Sequence, residues 1–164
     1  MSESIFDQPR FQDAEAAREY LEAIRWPNGP ICPHCGTVAQ HYALHGKSQR
    51  KGLYKCSDCR EQFTVTVGTV FERSKIPLHK WVMLTEMMCA SKKGISSKQV
   101  ERMLGVTYKT AWFMTHRIRE FDFRYNHREK LGYDDTQRTV EALKGISGKR
   151  LTYRRIGAQD DADV

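Results

Sequence analysis

Apolar positions recur at three- and four-residue steps over most of the first 125 residues, and a stretch between about 36 and 67 breaks that rhythm. In "DAEAAREYLEAIR" (13–25), Ala14, Ala17, Leu21 and Ile24 share one side behind Asp13, which predicts an amphipathic helix with an aspartate cap. "WPNGP" (26–30) stops it, because Pro27 and Pro30 cannot continue the helical ladder and Asn28-Gly29 favours a turn. The segments "VAQHYALH", "GLYKC" and "QFTVTV" are short, aromatic and β-branched, so they predict a small antiparallel sheet. From Pro77 the helical period returns in "PLHKWVMLTEMMCAS", with Leu78, Trp81, Thr85 and Met88 along one side and Gly94 at its end.

"GISSKQVERMLGVTYKTAWFMTHRIREF" holds two further helices with clear punctuation. Ser96 and Gln99 have capping-box spacing, Val100, Met103 and Leu104 make an apolar side, and Gly105 suits the left-handed residue past a helix end. Thr107 then caps a second helix whose inward stripe is Ala111, Met114, Ile118 and Phe121. Two helices joined by "GVT" make a helix-turn-helix. Beyond residue 125 the pattern thins: "TVEALKG" predicts a short helix, "KRLTYRRI" a strand, and "AQDDADV" a frayed acidic tail. The fold class is therefore α+β: an N-terminal helix (1–30), a small antiparallel ribbon (31–72), a helix-turn-helix bundle (73–125) and a short, partly disordered extension (126–164).

Charge sharpens this division. The net +7 is concentrated in residues 73–130, which carry 13 Lys and Arg against 5 Asp and Glu, while residues 1–30 carry 3 against 6, 31–72 carry 5 against 3, and 131–164 carry 6 of each. A local excess of that kind favours a polyanion. No apolar run is long enough to span a bilayer and the N-terminus lacks the pattern of a signal peptide, so a cytoplasmic protein is expected.

In a reducing compartment, cysteines paired at short spacing point to metal. Cys32, Cys35, Cys56 and Cys59 form two Cys-x-x-Cys knuckles twenty residues apart, the spacing of a zinc ribbon. Four protein thiolates fill a tetrahedral Zn²⁺ and leave no position for an activated water, so one structural ion is expected. A redox role for one Cys-x-x-Cys leaves the second knuckle unexplained, and His34, His41 and His45 are the nearby substitute ligands. Cys89, within "MLTEMMCA", reads as a small buried hydrophobe. "GISGK" (145–149) lacks the Walker spacing and reads as a turn.

The second helix of a helix-turn-helix meets base edges with its N-terminal part while flanking cations contact phosphates. On that basis Lys109 and Thr110 are base-edge candidates, and Arg117 and Arg119 phosphate contacts. Ser97, Lys98, Thr107, Tyr108 and Phe113 complete the expected DNA surface, with Lys47, Arg50 and Lys51 adding contacts from the ribbon. Trp112, beside the inward stripe, is expected in the core.

Taken together, "CPHCG", "YKCSDCREQFTVTVGTVFERSKIPLHKW" and "GISSKQVERMLGVTYKTAWFMTHRIRE" resemble the N-terminal part of zinc-ribbon insertion-sequence transposases, the ISXO-like group of the DDE superfamily, over roughly residues 5–125. The resemblance implies a zinc ribbon and a helix-turn-helix that bind the element's inverted repeats, followed by an RNase H-like domain with three metal-holding acidic residues. Here 41 residues follow Phe123, against the ~100 such a sheet needs. Asp134, Asp135, Glu141, Asp160, Asp161 and Asp163 are clustered without strands to converge them. The expectation is a sequence-specific binder of double-stranded DNA with no catalytic residue and no small-molecule substrate, acting as a homodimer or beside a related transposase. The alternatives are a fragment of a transposase completed by another frame or subunit, and a zinc-dependent protein or RNA interaction module.

Overall fold

The computed structural model describes residues 5–38, 40–46, 49–91, 94–119 and 134–145. A 3-10 turn (Ile5–Asp7) leads into helices α1 (Pro9–Gln12) and α2 (Ala14–Arg25), then into strands β1 (His41–Ala43), β2 (Tyr54–Cys56) and β3 (Gln62–Phe63). Helices α3 (Leu78–Ala90), α4 (Ser97–Leu104), α5 (Tyr108–Arg119) and α6 (Asp135–Gly145) follow. The architecture is α+β, as expected. Phe121, the strand predicted from "KRLTYRRI" and the acidic tail lie outside the described residues.

Asp13 caps α2 as its position predicts, its carboxylate accepting from the amides of Glu15 and Ala16 at 3.0 and 2.9 Å. The helix buries Ala17 and Leu21. At its end Trp26 is buried edge-on against Tyr54 and Phe63, with ring centroids 5.6 and 5.8 Å away, so the residue that stops the helix also fixes it to the sheet. Arg25 adds a second tie by donating to the Val65 carbonyl.

The sheet is antiparallel in the order β1-β2-β3, with His41 opposite Cys56 and Tyr54 opposite Phe63. Only Gln62 and Phe63 of "QFTVTV" are strand. From Thr64 the chain coils through successive turns, where the Thr69 hydroxyl donates to the Thr66 carbonyl at 2.6 Å and accepts from the Phe71 amide at 3.1 Å. Local threonine bonds thus replace a ladder, and they let Val65, Val70 and Phe71 turn into the helical core. β-branched composition alone does not separate these outcomes.

Helix α3 is the centre of the bundle. Trp81, Thr85 and Met88 are buried as the stripe predicts, but Val82, Leu84, Glu86, Met87 and Cys89 are buried too, because other helices surround its second half. The Trp81 indole donates to Ser74 Oγ at 3.0 Å and its ring lies 5.5 Å from Phe71. One contiguous core runs from Leu21 and Trp26 through Cys32, Cys56 and Phe63 to Trp81, Val100, Met114 and Leu143, so ribbon and helices share a single interior.

Helices α4 and α5 form with the predicted caps. Ser96 Oγ accepts from the Gln99 amide at 3.2 Å, Gly105 takes φ 57°, and Thr107 Oγ1 accepts from the Thr110 amide at 3.3 Å. Val100 and Leu104 face inward from α4, and Ala111, Met114 and Ile118 from α5. Met103 is exposed instead: in an eight-residue helix the seam is carried by the pair four residues apart, and Met103 falls beside it. Helix α6 begins four residues before the predicted "TVEALKG". Asp134 and Gln137 cap it reciprocally, the Asp134 carboxylate accepting from the Gln137 amide at 2.7 Å and the Gln137 side chain accepting from the Asp134 amide at 3.0 Å.

Glu86 is the polar exception inside this bundle. It is 2% exposed, it hydrogen-bonds Thr139 of α6, and among the described residues its Oε2 has no hydrogen-bond partner. Burial pushes its carboxyl above the ordinary value; Thr139 and Arg10 oppose that shift and Asp134 adds to it. A carboxyl raised in the folded state contributes stability below its unfolded pKa and loses it as pH rises through the folded value. Glu86→Gln is therefore expected to stabilise the protein at neutral pH and to remove that decline. Urea unfolding of both proteins across the range reads the difference, and a gap independent of pH contradicts it.

Candidate metal centre and nucleic-acid interface

The two knuckles are built from tight turns. In the first, the Gly36 amide donates to the Cys32 carbonyl at 2.9 Å and the Cys32 amide to the Thr37 carbonyl at 3.1 Å; in the second, the Cys56 amide donates to the Glu61 carbonyl at 3.0 Å. Each turn needs a left-handed residue directly after its second cysteine, supplied by Gly36 (φ 76°) and Arg60 (φ 61°). Glycine takes that conformation freely, whereas arginine holds it at a cost of about 1–2 kcal/mol, which the second knuckle tolerates.

These turns bring Cys32, Cys35, Cys56 and Cys59 together, with all four Sγ atoms within 4.8 Å of one another. Cys32 Sγ lies 3.6 Å from Cys59 Sγ, and Cys35 Sγ 3.6 Å from Cys56 Sγ. A tetrahedron with bonds of ~2.3 Å has edges of about 3.8 Å, so the cradle has the size of a thiolate-bound metal, and an all-sulfur set suits Zn²⁺. Among the described residues, no histidine joins this cluster. His41 lies instead against Tyr54 and Phe63, at 5.8 and 6.5 Å between rings.

The four sulfurs differ in surroundings. Cys32 and Cys56 are buried, Cys59 is half-buried and Cys35 is exposed. Hydrogen bonding to the Thr37 side chain and backbone holds the Cys35 thiol down at about 6. At Cys59 the backbone at Glu61 pulls downward, but burial and the three neighbouring thiols outweigh it and push the group up to about 12. Thr37 also donates to Asp58 at 2.7 Å and so ties the first knuckle to the second. Bound metal would hold all four sulfurs as thiolates, and with every ligand position taken by protein it would brace the fold.

The expected DNA residues divide into exposed and engaged groups. Tyr108 and Lys109 are exposed on the first turn of α5, and Thr110 is half-buried with its hydroxyl 2.9 Å from that of Thr107. Lys98 is exposed and paired with Glu101 at 2.6 Å. Ser97 is half-buried, its hydroxyl 3.1 Å from Thr115 Oγ1, where it joins α4 to α5. Arg117 is turned inward: it donates to the Glu72 carbonyl at 3.1 Å and lies 5.5 Å over the Phe113 ring. Desolvation lowers its pKa from the usual value. Arg119 closes α5, and its side chain, like Lys47, lies outside the described residues. On the ribbon Arg50 is exposed and Lys51 reaches Glu15 of α2 at 3.4 Å.

Trp112 departs from expectation. It is 44% exposed and stands on the outer side of α5. The stripe of Ala111, Met114, Thr115 and Ile118 already fills the inward arc, and Trp112 lies beyond its edge. Arg25 is the tie that the sequence did not suggest, since its carbonyl partner is forty residues away. Among the described residues no helix is long and apolar enough to cross a membrane.

Against known proteins, residues 12–62 match the family model of the transposase zinc-ribbon domain, of the IS1595 type. The match takes in α2 as well as both knuckles, in keeping with the packing of Trp26 on the sheet. Over 120 residues the chain is 32% identical to an uncharacterized protein in transposable element ISH50 of Halobacterium salinarum. That alignment covers 73% of this chain and 40% of the relative, so the chain spans well under half of the relative's length. No solved structure matches it. The resemblance drawn from the cysteine and helix motifs is thus borne out: the N-terminal segment carries a transposase-type zinc ribbon, and the chain is related to an insertion-element protein.

Proposed function

We propose that this chain is a transposase-derived, sequence-specific binder of double-stranded DNA. Its helix-turn-helix reads inverted-repeat-like sequence and its zinc ribbon braces that unit. The observation that carries the reading is a capped helix pair with Tyr108 and Lys109 outward on the first turn of α5, fixed to a ribbon whose four sulfurs would close the metal to substrate. The chain has no strand-transfer activity of its own in this reading: Asp134 caps α6 and Glu141 pairs with Lys144 at 2.7 Å, so these carboxylates have structural partners. It works in the cytoplasm on the nucleoid, as a homodimer or alongside a related transposase.

Selection of duplexes from a random pool by the zinc-loaded protein tests this. A defined sequence is expected to be enriched, and Lys109→Ala to weaken binding to it and to lower the salt slope by about one. Equal retention of all duplexes defeats the specific reading. A second reading, in which the chain is the DNA-binding part of a transposase completed by another subunit, is favoured by the 40% coverage of the relative. Strand transfer that appears only when a separate catalytic subunit is added distinguishes it.

A further inference from the structure

Helix α5 exposes more aromatic surface than its own packing uses. Tyr108, Trp112 and Phe113 are 50%, 44% and 43% exposed, whereas Trp26 and Trp81 are at 7% and 0%. The rings are ordered along the helix. Tyr108, Trp112 and His116 stand four residues apart and share one side, with Trp112 edge-on to His116 at 4.1 Å between centroids. Phe113 is held from behind, 6.3 Å from Trp81 and under the Arg117 guanidinium, so it supports the row beside it.

An ordered apolar face on a helix marks a surface that another molecule covers, and charge decides which molecule. Among the described side chains from Ser96 to Ile118 the helix pair exposes Lys98, Arg102 and Lys109, and its one acidic residue, Glu101, is half-buried. Lys98 Nζ, 5.8 Å from the Tyr108 ring, sits at the edge of the aromatic row. A second copy would bring the same cations against themselves. Duplex DNA complements the face: phosphates line both lips of the major groove, and its floor is apolar wherever thymine presents its C5-methyl group.

We infer that the Tyr108–Trp112 row of α5 reads thymine methyl groups, with Lys98 at its edge holding a flanking phosphate. The site this protein prefers therefore carries thymines beneath the first two turns of α5. This rests on the DNA-binding reading above and deepens it. An aromatic edge laid on a methyl group gains dispersion and removes apolar surface from water, and each such contact is worth about threefold to fourfold in affinity.

Deoxyuridine lacks only that methyl, which makes the test direct. In the duplex selected by the zinc-loaded full chain, thymines are replaced one at a time by deoxyuridine, and affinities are measured for the wild type and Trp112→Ala. At two or more positions the replacement is expected to weaken the wild type about threefold, and at least one of those positions is expected to become insensitive in Trp112→Ala while the one under Tyr108 stays sensitive. Emission from the exposed Trp112 is expected to be quenched on binding, a change that Trp112→Phe abolishes. Selective binding that tolerates deoxyuridine at every position overturns the thymine reading and leaves the DNA reading standing. Absence of any selective duplex defeats the DNA reading first, and this one with it. A Trp112→Ala protein that dissociates from dimer to monomer at unchanged DNA affinity assigns the face to a second copy and overturns the inference as well. Thermal melting of each variant checks that the exposed position leaves the fold intact.

Discussion

Cys56→Ser is expected to strip the metal and to unfold the ribbon together with the core behind it. The strands have three, three and two residues, too few for a sheet to persist on hydrogen bonds alone. A bound structural zinc contributes on the order of 10 kcal/mol to such a unit, which makes it the dominant local term. Cys56 serves two purposes at once: it is 1% exposed in the same apolar cluster as Leu21, Trp26 and Phe63, and its sulfur lies 3.6 Å from that of Cys35. Serine removes a thiolate and leaves a hydroxyl among aromatic rings. Metal release assays should fall from one zinc per chain to near none, and the cooperative melting transition should be lost. Cys35→Ser is expected to lose metal as well but to disturb the interior less, because Cys35 is exposed. A Cys56→Ser protein that melts like the wild type and ignores chelator rejects the metal-braced ribbon.

What the sequence revealed and what it withheld follow a physical division. Caps are local, so Asp13, Ser96, Gly105 and Thr107 were legible from their own neighbourhoods, and each forms as expected. The four cysteines were legible for the same reason, since two short turns carry the whole ligand set. Helix α6 was readable but was placed too late, because "DDTQ" contains the Asp134–Gln137 capping pair. Facing and long-range ties were not legible. Whether Trp112 or Met103 points inward depends on how much of the inner arc neighbouring helices fill, and no spacing rule contains that. Arg117 reads as a phosphate contact from its charge, yet the Glu72 carbonyl and the Phe113 ring claim it. Arg25 likewise looks like an ordinary last-turn cation until the coil after β3 brings the Val65 carbonyl to it. The proposed interface was legible as a helix with a charge excess and the rings of Tyr108 and Phe113, while the outward place of Trp112 emerges only from the packed structure.

Trp81 carries the second large effect, because it joins the parts that the DNA reading needs held together. Its ring is fully buried, 5.5 Å from Phe71 in the coil that leaves the ribbon and 6.3 Å from Phe113 on α5, while its indole donates to Ser74 Oγ. Truncation to alanine removes a large apolar surface and opens a cavity where ribbon, α3 and α5 meet, for an expected loss of about 3–5 kcal/mol. Trp81→Phe keeps the six-membered ring but loses the pyrrole part of the indole and its bond to a hydroxyl that still accepts from the Ile76 amide, so about 1–2 kcal/mol is expected. Urea unfolding of the zinc-loaded proteins gives both numbers. Phe113 leans on Trp81 and Arg117 leans on Phe113, so the cavity should also loosen the outer face of α5. DNA affinity of Trp81→Ala is therefore expected to fall even under conditions where the protein remains folded, although Trp81 itself is far too deep to touch DNA. A loss of stability under about 1 kcal/mol, or full affinity in the folded variant, contradicts the view that this one ring sets how α5 is held on the ribbon.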